Sequence, residues 1–134
     1  MDKQHQIVII GGGTAGIMTA TQLLKKNASL DIAIIDPAET HYYQPAWTLV
    51  GAGAYDYKNT ARSMASLIPK SVTWVKDFVT SFQADEHTID TENSGKIGYE
   101  FLVVAPGLVM DPSLIEGLTE AMEKGIVCSN YTNP

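Results

Sequence analysis

The first third of the chain alternates between short β-branched runs and one apolar stretch with helical spacing. The segment from Gln6 to Ile10 and the segment Leu30–Asp36 are rich in isoleucine, which predicts two strands. Between them, Gly16–Lys26 has one apolar helix face and ends in lysines, which suit a helix C-terminus. The apolar residues of this face are Ile17, Ala20, Leu23 and Leu24. The order strand, helix, strand predicts an α/β fold.

The middle of the chain has shorter apolar runs separated by polar turns. Ser71–Val75 predicts a third strand, parallel to the first two. Phe78–Phe82, His87–Asp90 and Ile97–Tyr99 predict three short strands that form an antiparallel meander. Phe101–Ala105 is apolar throughout, as in strands buried inside a parallel sheet. We therefore expect a Rossmann-like parallel sheet with an inserted antiparallel β-meander.

Two further helices are expected, over Asn59–Leu67 and Leu114–Lys124. Arg62, in the first of them, has two interpretations, a solvated charge or a partner for an anion. The chain stops at Pro134 without a regular final element. We expect residues 1–134 to be a single N-terminal portion of a longer protein.

A glycine-rich turn follows the first strand directly. Gly11, Gly13 and Gly16 form a Gly-x-Gly-x-x-Gly pattern between a strand and a helix, which is the fingerprint of a turn that holds a dinucleotide pyrophosphate. Gly11 permits the sharp turn, Gly13 lacks a Cβ that would hold phosphates away, and Gly16 lets the helix pack closely. The N–H groups of the first helical turn, which includes Thr14 and Ala15, would face the anion.

A carboxylate stands where a dinucleotide fold needs one. Asp36 ends the second strand, 20 residues after Gly16, and an acid at this place accepts hydrogen bonds from the adenosine ribose hydroxyls. The alternative interpretation is a turn former before Pro37. An acid here also argues against a ribose 2′-phosphate, which it would repel.

The charge balance excludes several classes of function. Nine basic and fifteen acidic side chains give a net charge of −6, so nucleic-acid binding through a basic face is not expected. One cysteine, Cys128, excludes an intrachain disulfide and fits a reducing cytoplasm. No apolar run is long enough to cross a bilayer, and no metal site is predicted.

An aromatic loop follows Asp36. Residues 37–56 contain three of the six tyrosines and one of the two tryptophans, together with several neutral hydrogen-bonding side chains. Such a loop suits packing against a flat conjugated ligand, although aromatic loop residues more often form a small satellite core.

Several of these patterns occur together in one known family. The turn Gly11–Gly16, the acid at position 36, the loop His41–Pro45, the segment Trp47–Gly53 and the strand end Tyr99–Gly107 resemble the N-terminal part of the sulfide:quinone oxidoreductases. These are flavoproteins with two dinucleotide-binding domains, related to the disulfide reductases. The resemblance covers essentially the whole chain, and the loop and the segment after it are its most specific parts. It implies a truncated FAD-binding domain.

The resemblance also implies roles for individual residues. The turn and the acid would hold FAD, Pro45 and Gln44 would lie by the flavin, and Val79 would give a main-chain contact to adenine. The family often closes its apolar strand with Ala-Thr-Gly, whereas this chain has Ala105-Pro106-Gly107 and loses one N–H there. Cys128 would lie near the flavin or be a small semi-buried side chain. The expected cofactor-binding residues are Gly11, Gly13, Thr14, Ala15, Gly16, Asp36, Pro45, Val79, Ala105 and Gly107, with Gln44 and Cys128 near the flavin and no catalytic residue among them.

The function implied is the oxidation of sulfide with transfer of electrons through FAD to quinone. The full-length enzyme would be cytoplasmic, with peripheral membrane contact through a C-terminal part outside this chain. The redox cysteine pair and half of the flavin pocket would also be absent, so the chain alone is expected to be inactive and to hold FAD weakly or not at all. An unpaired edge of Phe101–Val104 is expected to cause self-association.

Two other functions stay open. One is another flavoenzyme of the superfamily, such as a type II NADH:quinone dehydrogenase, which would share the turn and the acid. The other is a free-standing nucleotide-binding module without catalysis.

Overall fold

The computed structural model describes residues 3–131, which fall into two compact units. The first unit consists of residues 3–41 and 63–107, and the second of residues 42–62 and 108–131. The strands are β1 (Lys3–Ile10), β2 (Ile32–Ile35), β3 (Thr40–Tyr42), β4 (Ala61–Ser63), β5 (Thr73–Val75), β6 (Val79–Gln83), β7 (Thr88–Thr91) and β8 (Gly95–Val104). The α-helices are α1 (Thr14–Lys26), α2 (Trp47–Gly51), α3 (Met64–Leu67) and α4 (Leu118–Glu123).

The first unit is built on one six-stranded sheet with the order β5-β2-β1-β8-β7-β6. The first four of these strands are parallel, and β7 and β6 continue the sheet in antiparallel pairing. The expected parallel sheet with an antiparallel meander is therefore confirmed. A separate two-stranded sheet is formed by β3 and β4.

The central strands are buried on both faces of the sheet. Ile7 and Ile9 of β1 point to the face covered by α1, where they pack against Ala20. Val8 and Ile10 point to the other face, where Ile89 and Ile97 of the meander are among the residues that cover them. Each fully buried isoleucine or valine contributes about 1.5–3 kcal/mol through the apolar area removed from water. Burial on both faces explains why these runs are apolar at every position.

The strand β8 differs from the prediction of two separate strands, Ile97–Tyr99 and Phe101–Ala105. It is one continuous strand of 10 residues that pairs with β1 from Ile97 to Val104, while its first residues, Gly95 to Gly98, also pair with β7. Glu100 lies exposed within it and has no turn-forming neighbour that would interrupt the strand. The expectation of full burial is also wrong, because Phe101 is 66% and Val104 55% exposed.

The helix predicted over Asn59–Leu67 is mostly wrong. Tyr57–Thr60 forms a 3-10 turn, β4 follows, and only α3 is helical. Arg62 lies in β4 and donates from Nη1 to the carbonyl oxygens of Asn59 and Ala61. The second predicted helix, over Leu114–Lys124, is shorter than expected, since regular helix covers α4 alone.

The aromatic residues of the loop form the small core of the second unit. Tyr42, Trp47 and Tyr57 lie with ring centroids 5.8–6.2 Å apart. The indole Nε1 of buried Trp47 donates to Oγ1 of Thr60 at 3.3 Å, and this hydroxyl donates to the carbonyl of Tyr57 at 2.7 Å. The satellite-core interpretation therefore holds for buried Trp47, whereas Tyr42 is 36% and Tyr43 55% exposed. Among residues 3–131, no helix has the length and apolar character that a membrane span requires.

A buried carboxylate fastens the meander of the first unit. Asp77, which is 2% exposed, accepts backbone hydrogen bonds from Phe78, Asn93 and Ser94 at 2.6–2.9 Å. Burial alone would raise the pKa of Asp77, but the hydrogen bonds from Ser94, Asn93 and Phe78 outweigh it and hold the pKa well below its usual range. The charged carboxylate therefore ties the start of β6 to the turn between β7 and β8.

The Asp77 contacts predict how the stability of the fold depends on pH. Because the pKa is lowered on folding, the ionised side chain stabilises the fold fully above its unfolded pKa of about 3.9, and this contribution is lost as the pH falls further. Asp77→Asn should lower the urea midpoint clearly at pH 7, and its difference from wild type should shrink towards about pH 3. The control is Asp85→Asn at an exposed aspartate, which should change the midpoint little. Equal midpoints for wild type and Asp77→Asn at pH 7 would contradict this assignment.

One free strand edge supports the expectation of self-association. No strand within residues 3–131 pairs with the second edge of Phe101–Val104, since the pairing with β7 stops at Gly98. The other edges are less suited to pairing, because β5 has three residues and β6 has an irregular register between Val79 and Ser81.

We predict that the chain self-associates along this β8 edge. Phe101→Lys should shift the mass measured by sedimentation equilibrium towards the monomer, because it puts a charge beside the apolar edge. Phe82→Lys is a matched control, since Phe82 is 54% exposed but lies on β6, and it should leave the mass unchanged. A strictly monomeric wild-type chain would refute the prediction.

Candidate functional site

The glycine-rich turn lies where β1 meets the N-terminus of α1. Gly11 has φ +100° and donates its N–H to the carbonyl of Ile35 at 2.9 Å, which joins the ends of β1 and β2. Gly13 is the N-cap residue of α1, and no side chain caps this helix. Thr14 and Ala15, which begin the helix, are exposed. The N-terminus of a 13-residue helix therefore offers backbone donors to an anion.

Two glycines of the turn are required by close contacts. A Cβ on Gly11 would lie 2.1 Å from the carbonyl oxygen of Ala105, and a Cβ on Gly16 would lie 1.9 Å from the carbonyl oxygen of Gly11. Both separations are far below van der Waals contact with a fixed backbone atom. The positive φ of Gly11 would also strain any other residue. These two positions hold the end of β8 and the start of α1 against the end of β1.

Gly13 is free of such contacts. A Cβ there would meet no heavy atom within 4 Å, and its backbone angles, φ −70° and ψ −174°, are open to any residue. The fold does not need a glycine at this position. A glycine does keep the space in front of the helix N-terminus clear, which fits the close approach of a phosphate group.

Asp36 lies beside the turn and is oriented by backbone donors. Its Oδ2 accepts a hydrogen bond from the N–H of Gly12 at 2.6 Å, and its Oδ1 accepts one from Ala38 at 2.7 Å. Each carboxylate oxygen can accept at least one more hydrogen bond. Asp36 is half-buried, so this capacity is accessible to a polyol such as a ribose. The turn-former interpretation is also correct in part, because the bond to Ala38 closes an Asx-type turn.

The end of β8 approaches the same turn. The N–H of Ala105 donates to the carbonyl of Ile10 at 2.8 Å, and the carbonyl of Ala105 faces Gly11. Gly107 is exposed, and Pro106 between them has no N–H to donate. The donors of this edge therefore come from the turn and from α1.

Comparison with known proteins agrees with this geometry. Residues 5–132 match the family model described as pyridine nucleotide-disulphide oxidoreductase. The chain belongs to this family. The matched range includes the glycine-rich turn, Asp36 and the end of β8.

Three relatives illustrate the similarity within the pyridine nucleotide-disulphide oxidoreductase family. A mitochondrial sulfide:quinone oxidoreductase of Dictyostelium discoideum is 44% identical over 128 residues, which is 95% of this chain and 28% of that protein. The solved sulfide:quinone oxidoreductase of Aquifex aeolicus is 29% identical with a TM-score of 0.70, over 81% of this chain and 25% of that one. A type II NADH:quinone oxidoreductase of Staphylococcus aureus is 30% identical over 87% of this chain and 30% of that protein. The chain thus spans less than a third of the length of these relatives.

Val79 lies away from the glycine turn in the strand order of the sheet. It starts β6, and three strands stand between β6 and β2. Its half-buried side chain packs against the meander-side core, which includes Ile35 and Val75. The main-chain contact to adenine expected of Val79 remains a prediction.

Gln44, Pro45 and Cys128 belong to the second unit. Gln44 and Pro45 are exposed in a 3-10 turn. Cys128 is also exposed, so the expectation of a semi-buried side chain is wrong. It borders an apolar pocket of about 290 Å³ whose other lining residues include Met110, Ile115, Leu118 and Met122. The roles of these three residues near a flavin stay predictions.

Two residues that shape the site, Gly12 and Met64, were not among the predicted site residues. Gly12 supplies the N–H that orients Asp36, and a Cβ on it would lie 3.1 Å from both the Asp36 Cβ and the Met64 sulfur. Met64 is 2% exposed, and only the folding of the chain brings it beside the glycine-rich turn. The variable position in Gly-x-Gly gave a signal for Gly12, since it too is glycine, but nothing in the local sequence indicated Met64.

The glycine contacts predict different stabilities for two alanine variants. Gly16→Ala should lower the free energy of unfolding by about 2 kcal/mol or more, because its Cβ cannot fit beside Gly11. Gly13→Ala should lower it by about 1 kcal/mol or less, which is the range for an alanine at an N-cap. Urea unfolding of both variants at neutral pH measures the difference. Equal losses would show that the close contact at Gly16 is relieved by small shifts.

Proposed function

We propose that the first unit binds the adenosine diphosphate part of FAD. The pyrophosphate would lie against the N-terminus of α1 at Gly13, and Asp36 would accept hydrogen bonds from the ribose hydroxyls. The observation that carries the proposal is the open helix N-terminus beside a carboxylate whose two oxygens are oriented by Gly12 and Ala38. The remaining site residues of this proposal are Gly11, Thr14, Ala15, Gly16, Val79, Ala105 and Gly107.

Backbone donors would supply the affinity for the pyrophosphate. Residues 11–24 contain no charged side chain, and the chain carries a net charge of −6. Hydrogen bonds from backbone N–H groups to a charged acceptor are worth about 1.5–3 kcal/mol each, and the helix dipole adds about 0.3–1 kcal/mol. The anion would therefore be held by the turn and the helix, without a lysine or arginine.

Asp36 also indicates which dinucleotide fits. A carboxylate that accepts from ribose hydroxyls favours an unmodified ribose and repels a 2′-phosphate. FAD and NAD both carry such a ribose, so the site alone does not separate them. The choice of FAD is supported by membership of the pyridine nucleotide-disulphide oxidoreductase family and by the similarity to sulfide:quinone oxidoreductases.

We further propose that the complete protein oxidises sulfide and reduces quinone. Sulfide would lose two electrons, and quinone would take up two electrons and two protons to become a quinol. FAD, when bound, supplies the two-electron chemistry between these substrates. The part of this chain would be to hold and orient the adenosine end. Because the quinone is a lipid, we propose that the complete enzyme is a peripheral membrane protein. Its proposed cytoplasmic location rests on the single cysteine of these residues.

The 134 residues would be inactive by themselves. They contain one cysteine, Cys128, which is exposed, and a disulfide that accepts sulfide needs two. We also propose that residues 1–134 form part of an FAD-binding domain. Gln44, Pro45 and Cys128 would be its flavin-side residues.

A second candidate is a type II NADH:quinone oxidoreductase. The 30% identity to the Staphylococcus aureus relative supports this candidate. It ranks second because the identity to the Dictyostelium discoideum sulfide:quinone oxidoreductase is higher, at 44%. The two candidates share the quinone and differ in the electron donor. A free-standing nucleotide-binding module without catalysis is the third.

The complete protein that carries this sequence should reduce a soluble quinone analogue with sulfide at least about tenfold faster than with NADH. A continuous assay that follows the absorbance of the quinone with each donor measures the ratio of the two rates. Faster reduction with NADH would favour the second candidate, and no reduction with either donor would favour the binding module.

Variants of the same protein connect this activity to the site. Asp36→Asn should lower the flavin content per protein, because the ribose loses a charged acceptor. The matched control is Asp31→Asn at the opposite end of β2, where the exposed carboxylate lies 3.0 Å from Nδ1 of His5. Equal flavin content in wild type and both variants would contradict the assigned role of Asp36.

A further inference from the structure

Both backbone groups of Asp36 are bound by the neighbouring strand β5. The N–H of Asp36 donates to the carbonyl of Val75 at 3.1 Å. The carbonyl of Asp36 accepts a hydrogen bond from the indole Nε1 of Trp74 at 2.9 Å. The side chain of Trp74, 38 positions away, therefore donates a hydrogen bond that the backbone pairing of β2 with β5 does not supply.

The bond from Trp74 lies where β2 stops. Pro37 follows Asp36 and has no N–H, so the ladder cannot continue in the usual way. With its N–H and its carbonyl both bound, Asp36 has a fixed backbone plane at each side of its Cα. The direction of the Cα–Cβ bond is then fixed too, and it aims the carboxylate at the N–H of Gly12.

Trp74 itself is held from two sides. Its half-buried ring packs against the core on the α1 side of the sheet. On its other side, the Nζ of Lys76 lies 4.5 Å from the ring centroid and 2.9 Å from Oε1 of Glu39. The hydrogen bond and the charge of Lys76 lower the pKa of Glu39. These contacts favour the ring orientation in which Nε1 faces the carbonyl of Asp36.

We propose that Trp74 is a positioning residue for ribose recognition, which acts on Asp36 through its main-chain carbonyl. The inference rests on the proposed binding of an adenosine diphosphate group. Trp74 does not touch the ribose; its indole N–H sets the backbone from which the carboxylate accepts the ribose hydroxyls. Loss of this N–H should reduce the contribution of the ribose hydroxyls to the affinity for ADP and leave the contribution of the phosphates unchanged.

The test compares ADP with 2′,3′-dideoxy-ADP, which lacks both hydroxyls. In the wild-type chain, calorimetry should show a preference for ADP of about tenfold or more, which is the value of one or two hydrogen bonds to a carboxylate. Trp74→Phe keeps an aromatic ring but removes the N–H, and the preference should fall to about threefold or less. The affinity for dideoxy-ADP should be unchanged, because the phosphate contacts are not altered.

The matched control is the same exchange at the other tryptophan. Trp47 belongs to the second unit, and its indole N–H donates to Thr60. Trp47→Phe should keep the full preference for ADP. A general loss of stability, in contrast, would weaken ADP and dideoxy-ADP equally in either variant.

A second measurement does not need a nucleotide. The short hydrogen bond from Gly12 to the carboxylate should move the Gly12 amide proton downfield in the NMR spectrum, and Trp74→Phe should return it upfield. Trp47→Phe should leave it in place. A Gly12 resonance that does not move in Trp74→Phe would overturn the positioning role, even if this variant bound no nucleotide.

The outcomes separate the inference from the proposed function. If wild type binds ADP with a preference over dideoxy-ADP and Trp74→Phe retains that preference, Trp74 is not a positioning residue. If wild type binds neither compound, the proposed function fails, and the inference about ribose recognition falls with it.

Discussion

The contact of three backbone segments at the end of β1 is the constraint on which the first unit depends. Ala105 lies so close to Gly11, and Gly11 so close to Gly16, that neither glycine has room for a Cβ. This contact brings the carboxyl ends of β1 and β8 to the N-terminus of α1, and the bond from Gly11 to Ile35 adds the end of β2. In open parallel sheets, ligands bind at this edge.

Contacts elsewhere in the first unit hold that edge of the sheet in place. The central strands are buried on both faces, so their ends cannot move independently of the sheet. Asp77 fastens the meander that covers one face, and α1 covers the other. The polar groups at the site are few and are oriented by backbone donors, which is the arrangement expected of a preformed binding site. The open space at Gly13 is compatible with this, because the fold does not use it.

The parts of the fold that were predictable from sequence are those with a local signal. The runs that became β1 and β2, the helical spacing of α1 and the glycine pattern each depend on neighbouring residues. The division of β8 into two strands was wrong because the pairing with β1 continues on both sides of Glu100, from Ile97 to Val104. The helix predicted around Arg62 was lost to a turn and to β4, whose pairing with β3 no local pattern indicates.

The candidate site was predictable to the same extent. Asp36 follows from its distance to the glycine turn, but the contacts that orient it do not. Gly12 reaches it across 24 positions and Trp74 across 38, and such pairs form only when the sheet is assembled. The sequence therefore indicated Asp36 as the residue that we propose for ribose recognition, and the fold was needed to find which residues orient its carboxylate.

The most direct test of the account is a titration of the ¹⁵N-labelled chain with ADP, followed by the backbone amide resonances. The largest shifts should occur at Gly12 to Gly16 and at Ala38, whose N–H donates to the carboxylate of Asp36. Shifts that are absent from these amides, or that are largest in the second unit, would contradict it.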